Sequence, residues 1–141
     1  MLVRELMTTA LVTVPPETDV LEARRLMQRE RIRHLLVTTG DGALQGIVTD
    51  RDIRLNVASP ATSLSVWELN YLLARLTVGQ VMSRSPVTTR ADADAADAAR
   101  VMLERKIGAL PVVQGGILLG IVTESDFVRA VARPSLATAS T

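Results

Sequence analysis

The feature that most constrains this chain is an internal duplication built around a seven-residue motif. The sequence GIVTDRD runs from Gly46 to Asp52, and GIVTESD runs from Gly120 to Asp126. In each copy a glycine precedes two β-branched apolar residues, a threonine follows them, and an aspartate stands three residues later. The β-branched run predicts a buried strand, and the threonine and aspartate predict the beginning of a helix. Each copy therefore predicts a strand-to-helix junction with free acceptor oxygens and backbone N–H groups.

The duplication extends well beyond this motif. Shifting the chain by 75 residues aligns Val3–Val14 with Val78–Thr89, and Met27 with Met102. The turns TTGDGAL and VQGGIL differ by one residue, so the closing motifs align at an offset of 74. The register holds over roughly fifty residues, and a repeat of that length determines the fold class before any single element does. We therefore interpret the chain as two copies of one structural unit.

Each copy predicts the element order β-α-β-β-α, which belongs to the α/β (α+β) fold class. Apolar residues at helical spacing follow a cap at Thr18 or Asp19, and a glycine turn at Gly40–Gly42 predicts a hairpin. The predicted elements are Leu11–Val14, Asp19–Arg31, His34–Thr38, Leu44–Thr49 and a helix from Asp50 in the first copy, and Val87-Thr88, Ala93–Lys106, Ala109–Val113, Ile117–Thr123 and Glu124–Ala132 in the second.

The region between the copies predicts a linker helix. We place the first repeat at residues 1–55, the linker at 56–77, the second repeat at 78–133 and a flexible tail at 134–141. The linker begins with the loop-like ASPATS and continues as LSVWELNYLLARLT. The residues that follow helical spacing are Val66, Leu69, Asn70, Leu73 and Leu76. Trp67 and Tyr71 lie on an adjacent strip. They either belong to a helix that packs on its own unit or contribute to a dimer interface, where aromatic residues are enriched.

Composition excludes several functional classes. Hydrophobic residues make up 48% of the chain and aromatic residues only 2%, so the core must be aliphatic. The net charge of +1 argues against a nucleic-acid binder or a membrane-surface protein. Without cysteine there is no disulfide or thiolate chemistry, and with His34 as the single histidine a histidine-based metal site is disfavoured. No apolar run has membrane-spanning length, and we expect a soluble, cytoplasmic protein.

These repeats carry the motifs of a known family. Each opens with an xxxM[ST] turn, contains LLV at Leu35–Val37 or LPV at Leu110–Val112, and closes with GIVTxxD. Together they resemble a tandem pair of CBS domains over about residues 3 to 132. The linker resembles stand-alone CBS-pair proteins of the acetoin-utilisation type. CBS pairs also occur within inosine monophosphate dehydrogenases, but this chain contains no catalytic barrel, so the resemblance implies no such activity.

The resemblance implies two modules packed with pseudo-two-fold symmetry, often in homodimers, that bind AMP, ADP, ATP or S-adenosylmethionine and regulate a partner protein. No obligatory cofactor or metal is implied. Asp52 and Asp126 match the family's ribose-binding aspartate, and Thr49 and Thr123 match its hydroxyl partner. A carboxylate can accept hydrogen bonds from two vicinal hydroxyls at once. The segments that match the family's base-lining residues are Thr13, Thr88, and the main chain of His34, Leu35 and Leu36 and of Ala109, Leu110 and Pro111.

Candidate phosphate-binding cations are unequal between the copies. The first has Arg31, Arg33, His34 and, within its motif, Arg51; the second has Lys106. In the family, residues before the LPV-like strand often serve the other module's phosphate. The hypothesis is therefore that the site with Thr123 and Asp126 holds its phosphate more tightly, through Arg33 and His34. Loss of affinity in Asp52→Ala with none in Asp126→Ala would reject it.

Two departures from the family pattern bear on these sites. Leu36 replaces the usual proline, which can alter one base pocket. Glu124 adds a negative charge beside the second ribose position, which would disfavour a triphosphate.

Each candidate also has a structural interpretation. The threonines and aspartates can serve only as helix caps, the arginines can be a solvated helix end, and His34 can be an ordinary strand histidine. The four methionines at matching positions are most simply core residues. Asp92 and Asp94 stand at a helix start, where capping explains them, so we expect no catalysis. The functional alternative to nucleotide sensing is a ligand-free CBS scaffold for dimerisation or protein interaction.

Overall fold

The structure is a computed structural model, and it describes residues 1–61 and 65–133. The predicted flexible tail at 134–141 lies outside the described residues. The elements, in chain order, are α1 (Val3–Leu6), β1 (Thr13–Val14), α2 (Val20–Glu30), β2 (His34–Thr38), β3 (Leu44–Thr49), α3 (Asp50–Ala61), α4 (Val66–Arg75), α5 (Val78–Val81), β4 (Ser83–Arg84), α6 (Ala95–Arg105), β5 (Ala109–Gln114), β6 (Ile117–Thr123) and α7 (Glu124–Ala132). The mixed α/β class expected from the sequence is confirmed.

The chain folds into two compact units. The first-repeat unit is Leu11–Pro86, and the second-repeat unit combines Met1–Ala10 with residues 87–133. Residues 1–10 open the first repeat but fold with the strands of the second repeat. Residues 78–86 open the second repeat but fold with the strands of the first repeat. Long-range backbone hydrogen bonds explain this division: Thr8 N donates to Ile121 O at 2.8 Å, and Ile121 N donates to Thr8 O at 3.0 Å. The units thus divide the chain at different residues from the repeat boundaries expected from the sequence.

The first-repeat unit contains a four-stranded sheet in the order β1-β2-β3-β4. β1 runs parallel to β2, and the other neighbours are antiparallel. Thr13 lies opposite Leu36, and His34 lies opposite Thr49. The three central residues of β2 are buried, as an apolar run between two neighbouring strands requires.

The second-repeat unit contains a smaller sheet of two strands, β5 and β6. β5 and β6 are antiparallel, with Ala109 opposite Thr123. Single bridges stand where the first-repeat unit has outer strands: Thr89 pairs with Val112 in parallel, and Thr8 pairs with Ile121 in antiparallel fashion. The prediction of a strand at Val87-Thr88 was wrong, because pairing there is limited to one bridge at Thr89.

Equivalent residues begin and end the two long helices of the repeats. Asp19 caps α2 by accepting from Glu22 N at 2.8 Å, and Asp94 caps α6 by accepting from Ala96 N at 2.9 Å. Both helices end at a left-handed residue, Arg31 with φ 56° and Lys106 with φ 55°. These two helices lie where the sequence predicted them.

The helix α3 is longer than the sequence indicated. The loop-like ASPATS begins at residue 58, but α3 continues through Ala61. None of the described helices combines the length and apolarity needed to cross a bilayer.

Each unit buries its own aliphatic core. In the first-repeat unit the fully buried Leu35, Val37 and Val48 pack with residues of α2 and α4. In the second-repeat unit Leu110, Val112 and Val122 pack with Val3 of α1 and with α6. The interpretation of the methionines as core residues is confirmed: Met27 and Met82 belong to the first core or pack against it, and Met7 and Met102 do the same in the second.

Candidate functional site

The duplicated motif of the first-repeat unit forms a junction between β3 and α3. Thr49 is the last residue of β3, and Asp52 lies in the first turn of α3. Thr49 N donates to Asp52 Oδ2 at 2.9 Å, and Asp52 N donates to the Thr49 hydroxyl at 3.0 Å. The two side chains therefore cap the helix reciprocally. The second carboxylate oxygen, Asp52 Oδ1, accepts no hydrogen bond from any described residue.

Strand register brings other predicted residues to this junction. His34 lies opposite Thr49, and Asp50 N donates to Arg33 O at 3.1 Å. The exposed Thr13 lies opposite Leu36. Leu35 and Leu36 point their side chains into the protein, with at most 2% of either exposed, so only their main-chain groups could contact a ligand.

Positive charge accumulates at the same end of the sheet. Arg33 and Arg51 are exposed, and neither forms a salt bridge within residues 1–61 and 65–133. The nearby Arg54 instead pairs with Asp50 at 3.2 Å. Cations beside a helix N-terminus create a favourable environment for an anionic group. Arg31, the remaining cation considered from the sequence, is an exposed helix-terminal residue.

The matching junction in the second-repeat unit is more completely bonded. Asp126 Oδ2 accepts from Thr123 N at 2.8 Å and from the Thr123 hydroxyl at 3.3 Å. Asp126 Oδ1 accepts from the Thr8 hydroxyl at 3.2 Å and from Arg129 Nη2 at 2.7 Å. Asp126 is only 5% exposed. Both carboxylate oxygens of Asp126 are thus engaged by protein groups.

The surroundings of this second junction carry less positive charge. Glu124 N donates to Gly108 O at 3.1 Å, so Gly108 occupies the place that Arg33 holds in the first repeat. Lys106 is exposed at the end of α6. Thr88 is also exposed, and it directly precedes Thr89, which forms the single bridge to Val112.

The strand β5 supplies the other predicted lining residues of the second junction. Its residues Ala109, Leu110 and Pro111 are buried, whereas His34, the β2 residue equivalent to Ala109, is half-buried. Pro111 O accepts from Thr89 N at 3.0 Å. The sequence-predicted residues therefore fall into two sets, one in each unit.

Sequence reasoning missed two components of these junctions. One is Thr8, which hydrogen-bonds to Asp126. The other is the role of the glycine that opens each motif: a Cβ on Gly46 would lie 2.6 Å from Ser83 O, and a Cβ on Gly120 would lie 2.7 Å from Thr8 O. The repeated Met-Thr and Met-Ser pairs at residues 7-8 and 82-83 were the available signal, since each packs against one of these glycines.

The paired acids on the second repeat's helix start each have a structural partner. Asp94 caps α6, and Asp92 accepts two hydrogen bonds from Arg90, at 3.0 and 3.2 Å. The hydrogen bond from Arg90 lowers the pKa of the Asp92 carboxyl.

The linker helix α4 packs one face on its own unit and leaves another exposed. Leu73 is fully buried in the first core, and Leu69 and Leu76 pack against that core. Trp67 is 85% exposed, and with Tyr71 it lines a surface recess of about 390 Å³. The packing interpretation therefore holds for the leucines but not for Val66, which is 72% exposed. The ring of Tyr71 lies 5.0 Å from the guanidinium of Arg75.

Comparison with known proteins identifies relatives of both repeats. The protein-family model of the CBS domain matches residues 3–59 and again residues 78–133. A CBS domain-containing protein of Dictyostelium discoideum is 34% identical over 128 residues, which cover 90% of this chain and 88% of that protein.

The match to a larger enzyme is confined to part of it. Inosine-5'-monophosphate dehydrogenase of Mycobacterium leprae is 38% identical over 130 residues, which are 91% of this chain and 22% of the dehydrogenase. The chain therefore spans about a fifth of that enzyme.

Solved structures agree with the whole of the described fold. A protein from Vibrio cholerae described as an acetoin utilization protein (AcuB) superposes with a TM-score of 0.81 at 28% identity, covering 100% of this chain and 97% of that one. CBSX2 in complex with AMP gives 0.79 at 31% identity, covering 95% and 98%. The CBS domain pair of protein MJ0100, in complex with 5'-methylthioadenosine and S-adenosyl-L-methionine, gives 0.79 at 25% identity, covering 94% and 96%.

Proposed function

This chain belongs to the CBS domain family, and on that premise we propose that it is a regulatory module that binds an adenine nucleotide. The observation that carries the proposal is the Thr49–Asp52 junction. It presents a carboxylate oxygen without a described hydrogen-bond partner at the start of a helix. The exposed Arg51 lies within the motif, and the exposed Arg33 accepts a backbone hydrogen bond from Asp50 N at 3.1 Å. Vicinal ribose hydroxyls suit the carboxylate, and an anionic group suits the helix start and the arginines.

Two structural relatives support adenosine as the shared part of the ligand. One is in complex with AMP, and the other with 5'-methylthioadenosine and S-adenosyl-L-methionine. AMP, ADP, ATP and S-adenosylmethionine are therefore the candidates for this chain. In this proposal Arg33, His34 and Arg51 contact the group at the ribose 5' position. The proposed base contacts are Thr13, Thr88, and the main chain of His34, Leu35, Ala109, Leu110 and Pro111.

Nucleotide binding should raise the melting temperature of this chain. A nucleotide at a hundred times its dissociation constant should stabilise the folded chain by about 2.7 kcal/mol. For a chain of this size that corresponds to a rise on the order of 10 °C in melting temperature. The measurement is a melting series with AMP, ADP, ATP and S-adenosylmethionine at equal concentration. Because Arg33 and Arg51 favour an anion, we expect a phosphorylated nucleoside to give the largest rise.

Adenosine and inorganic phosphate are the controls for this series, since each supplies only part of the proposed ligand. Neither should match the nucleotide at equal concentration. If no compound in the series raises the melting temperature, nucleotide sensing is rejected and the chain is better explained as a scaffold for protein interaction.

We also propose that the protein forms a homodimer through α4. The exposed Trp67 and Tyr71 give this helix two accessible aromatic side chains one turn apart, and aromatic residues are enriched at interface cores. Trp67→Glu would place a charge in that interface, so we expect the sedimentation coefficient to fall from the dimer value to the monomer value at micromolar concentration. Analytical ultracentrifugation measures this directly.

The matched control for the dimer is Leu103→Glu, because Leu103 is an equally exposed apolar residue on α6. That variant should sediment as the unmodified protein does. A Trp67→Glu protein that remains dimeric would place the interface elsewhere.

The proposal assigns no catalytic step to this chain. A nucleotide-dependent change would pass to a regulated partner protein or to the partner subunit of the dimer. Since the proposed ligands are intracellular metabolites, the proposal also places the protein in the cytoplasm.

A further inference from the structure

The two aspartates of the duplicated motif occupy equivalent positions but have different hydrogen-bond partners. Asp126 Oδ1 accepts from Arg129 Nη2 at 2.7 Å and from the Thr8 hydroxyl at 3.2 Å. Asp52 Oδ1 accepts from no described residue, although Asp52 Oδ2 is held by Thr49 N as Asp126 Oδ2 is held by Thr123 N. The two aspartates match in the sequence, but protein groups bond both carboxylate oxygens of Asp126 and only one carboxylate oxygen of Asp52.

The cause is a difference at two other repeat positions. The residue three places after Asp126 is Arg129, and the residue three places after Asp52 is Leu55. Both side chains face solvent, with Leu55 65% exposed, but only the arginine carries donors. At the second position Thr8 corresponds to Ser83, whose hydroxyl makes no hydrogen bond to Asp52 within the described chain.

We propose that Arg129 is an internal competitor for the ribose-binding position of Asp126, so that the two halves of the duplication bind nucleotide with unequal affinity. A ribose hydroxyl that approaches Asp126 must displace a charge-assisted hydrogen bond from a guanidinium. A ribose hydroxyl that approaches Asp52 meets an oxygen that no described group occupies. The first nucleotide therefore binds with its ribose at Asp52, and a second binds at Asp126 only when Arg129 moves away. This inference rests on the proposed function and specifies its regulation.

The direction is the reverse of the hypothesis drawn from the sequence, which made the site with Thr123 and Asp126 the tighter one through Arg33 and His34. That hypothesis considered the cations available for the phosphate. It did not consider that a cation within the same helix already neutralises the ribose-binding carboxylate.

The test transfers the competitor from one repeat to the other. Leu55→Arg places a guanidinium three residues after Asp52, on an exposed position that does not contribute to the core. Arg129→Gln removes it from the second repeat and keeps a neutral hydrogen-bond donor. The matched control is Leu55→Gln, which adds polarity at the same position without charge. Each protein is titrated calorimetrically with AMP and, in a parallel series, with S-adenosylmethionine.

We expect the unmodified protein to bind one equivalent per chain tightly and any second equivalent at least tenfold more weakly, which is the cost of displacing a charge-assisted hydrogen bond. Leu55→Arg should weaken the tight site at least tenfold, and Leu55→Gln should leave it unchanged. Arg129→Gln should bring the second equivalent to within a few-fold of the first.

Two equal sites in the unmodified protein, or an unchanged tight site in Leu55→Arg, would overturn the inference and leave the nucleotide-binding function intact. Absence of binding of both ligands to all four proteins would overturn the function itself and the inference with it. If Arg129→Gln fails to fold because Asp126 loses its charged partner, the Leu55 variants still decide the question, since their position is exposed.

Discussion

Gly46→Ala is expected to lower the free energy of unfolding by about 3 kcal/mol, at the upper end of the range for overpacked sites. A Cβ at this position would lie 2.6 Å from Ser83 O and 2.7 Å from Met82 Sδ. The methionine can change rotamer, but Ser83 O belongs to the main chain of β4, which pairs with β3. Relief of the clash therefore requires separation of two strands. Chemical denaturation with a two-state analysis measures the loss.

Two further glycine-to-alanine variants complete this experiment. Gly120→Ala should have a comparable effect, because its Cβ would meet Thr8 O at 2.7 Å. Gly40→Ala is the matched control: it lies in the hairpin of the same repeat, has no neighbouring atom within 4 Å, and does not have a left-handed φ. It should be neutral or slightly stabilising. Equal unfolding free energies for Gly40→Ala and Gly46→Ala would show that β4 does not pack closely on β3 in solution.

Asp52→Asn is expected to weaken nucleotide binding by roughly ten- to hundredfold. A hydrogen bond to a charged group is worth about 1.5–3 kcal/mol, and each 1.4 kcal/mol is a factor of ten in affinity. The asparagine Oδ1 can still accept from Thr49 N, so the start of α3 is preserved and the change tests the charge on the carboxylate. Isothermal titration with the nucleotide that raises the melting temperature most gives the ratio of dissociation constants.

Asp50→Asn is the control for this loss, because Asp50 is a carboxylate in the same turn that pairs with the exposed Arg54. It removes the same formal charge from the neighbourhood, so any general electrostatic effect appears in both variants. We expect a change of less than threefold for Asp50→Asn, since exposed ion pairs contribute little. Equal affinities for the Asp50 and Asp52 variants would mean that Asp52 is only a helix cap.

The local elements of this fold follow directly from residue patterns. β2, β3 and β6 occupy the residues that their apolar runs indicate, and β5 differs by one residue at its end. β-branched and leucine-rich runs bounded by turns have few alternatives in a chain of this size. The caps at Asp19 and Asp94 are equally local, because a cap depends on residues within one helical turn.

Elements that depend on distant pairing were harder to predict. The short β4 exists only because Ser83 and Arg84 pair with β3, and Thr8 is held by Ile121 on a distant strand. Two-residue segments have no periodicity from which to infer a strand. For the same reason the sequence indicated a strand at Val87-Thr88, where a single bridge at Thr89 forms instead.

By itself the sequence determined the duplication, the family, the strand-to-helix junctions and the threonine and aspartate in each, because these depend on residue order and local geometry. Only the tertiary structure showed which side chains hydrogen-bond to the second carboxylate oxygen at each junction. Arg129 stands one turn from Asp126 and was visible from spacing, but Thr8 is separated from Asp126 by 118 residues and reaches it through backbone pairing with β6. A hydrogen-bond partner brought by strand pairing leaves no local pattern. The equivalence of the two aspartates therefore lies in the sequence, and their difference lies in the fold.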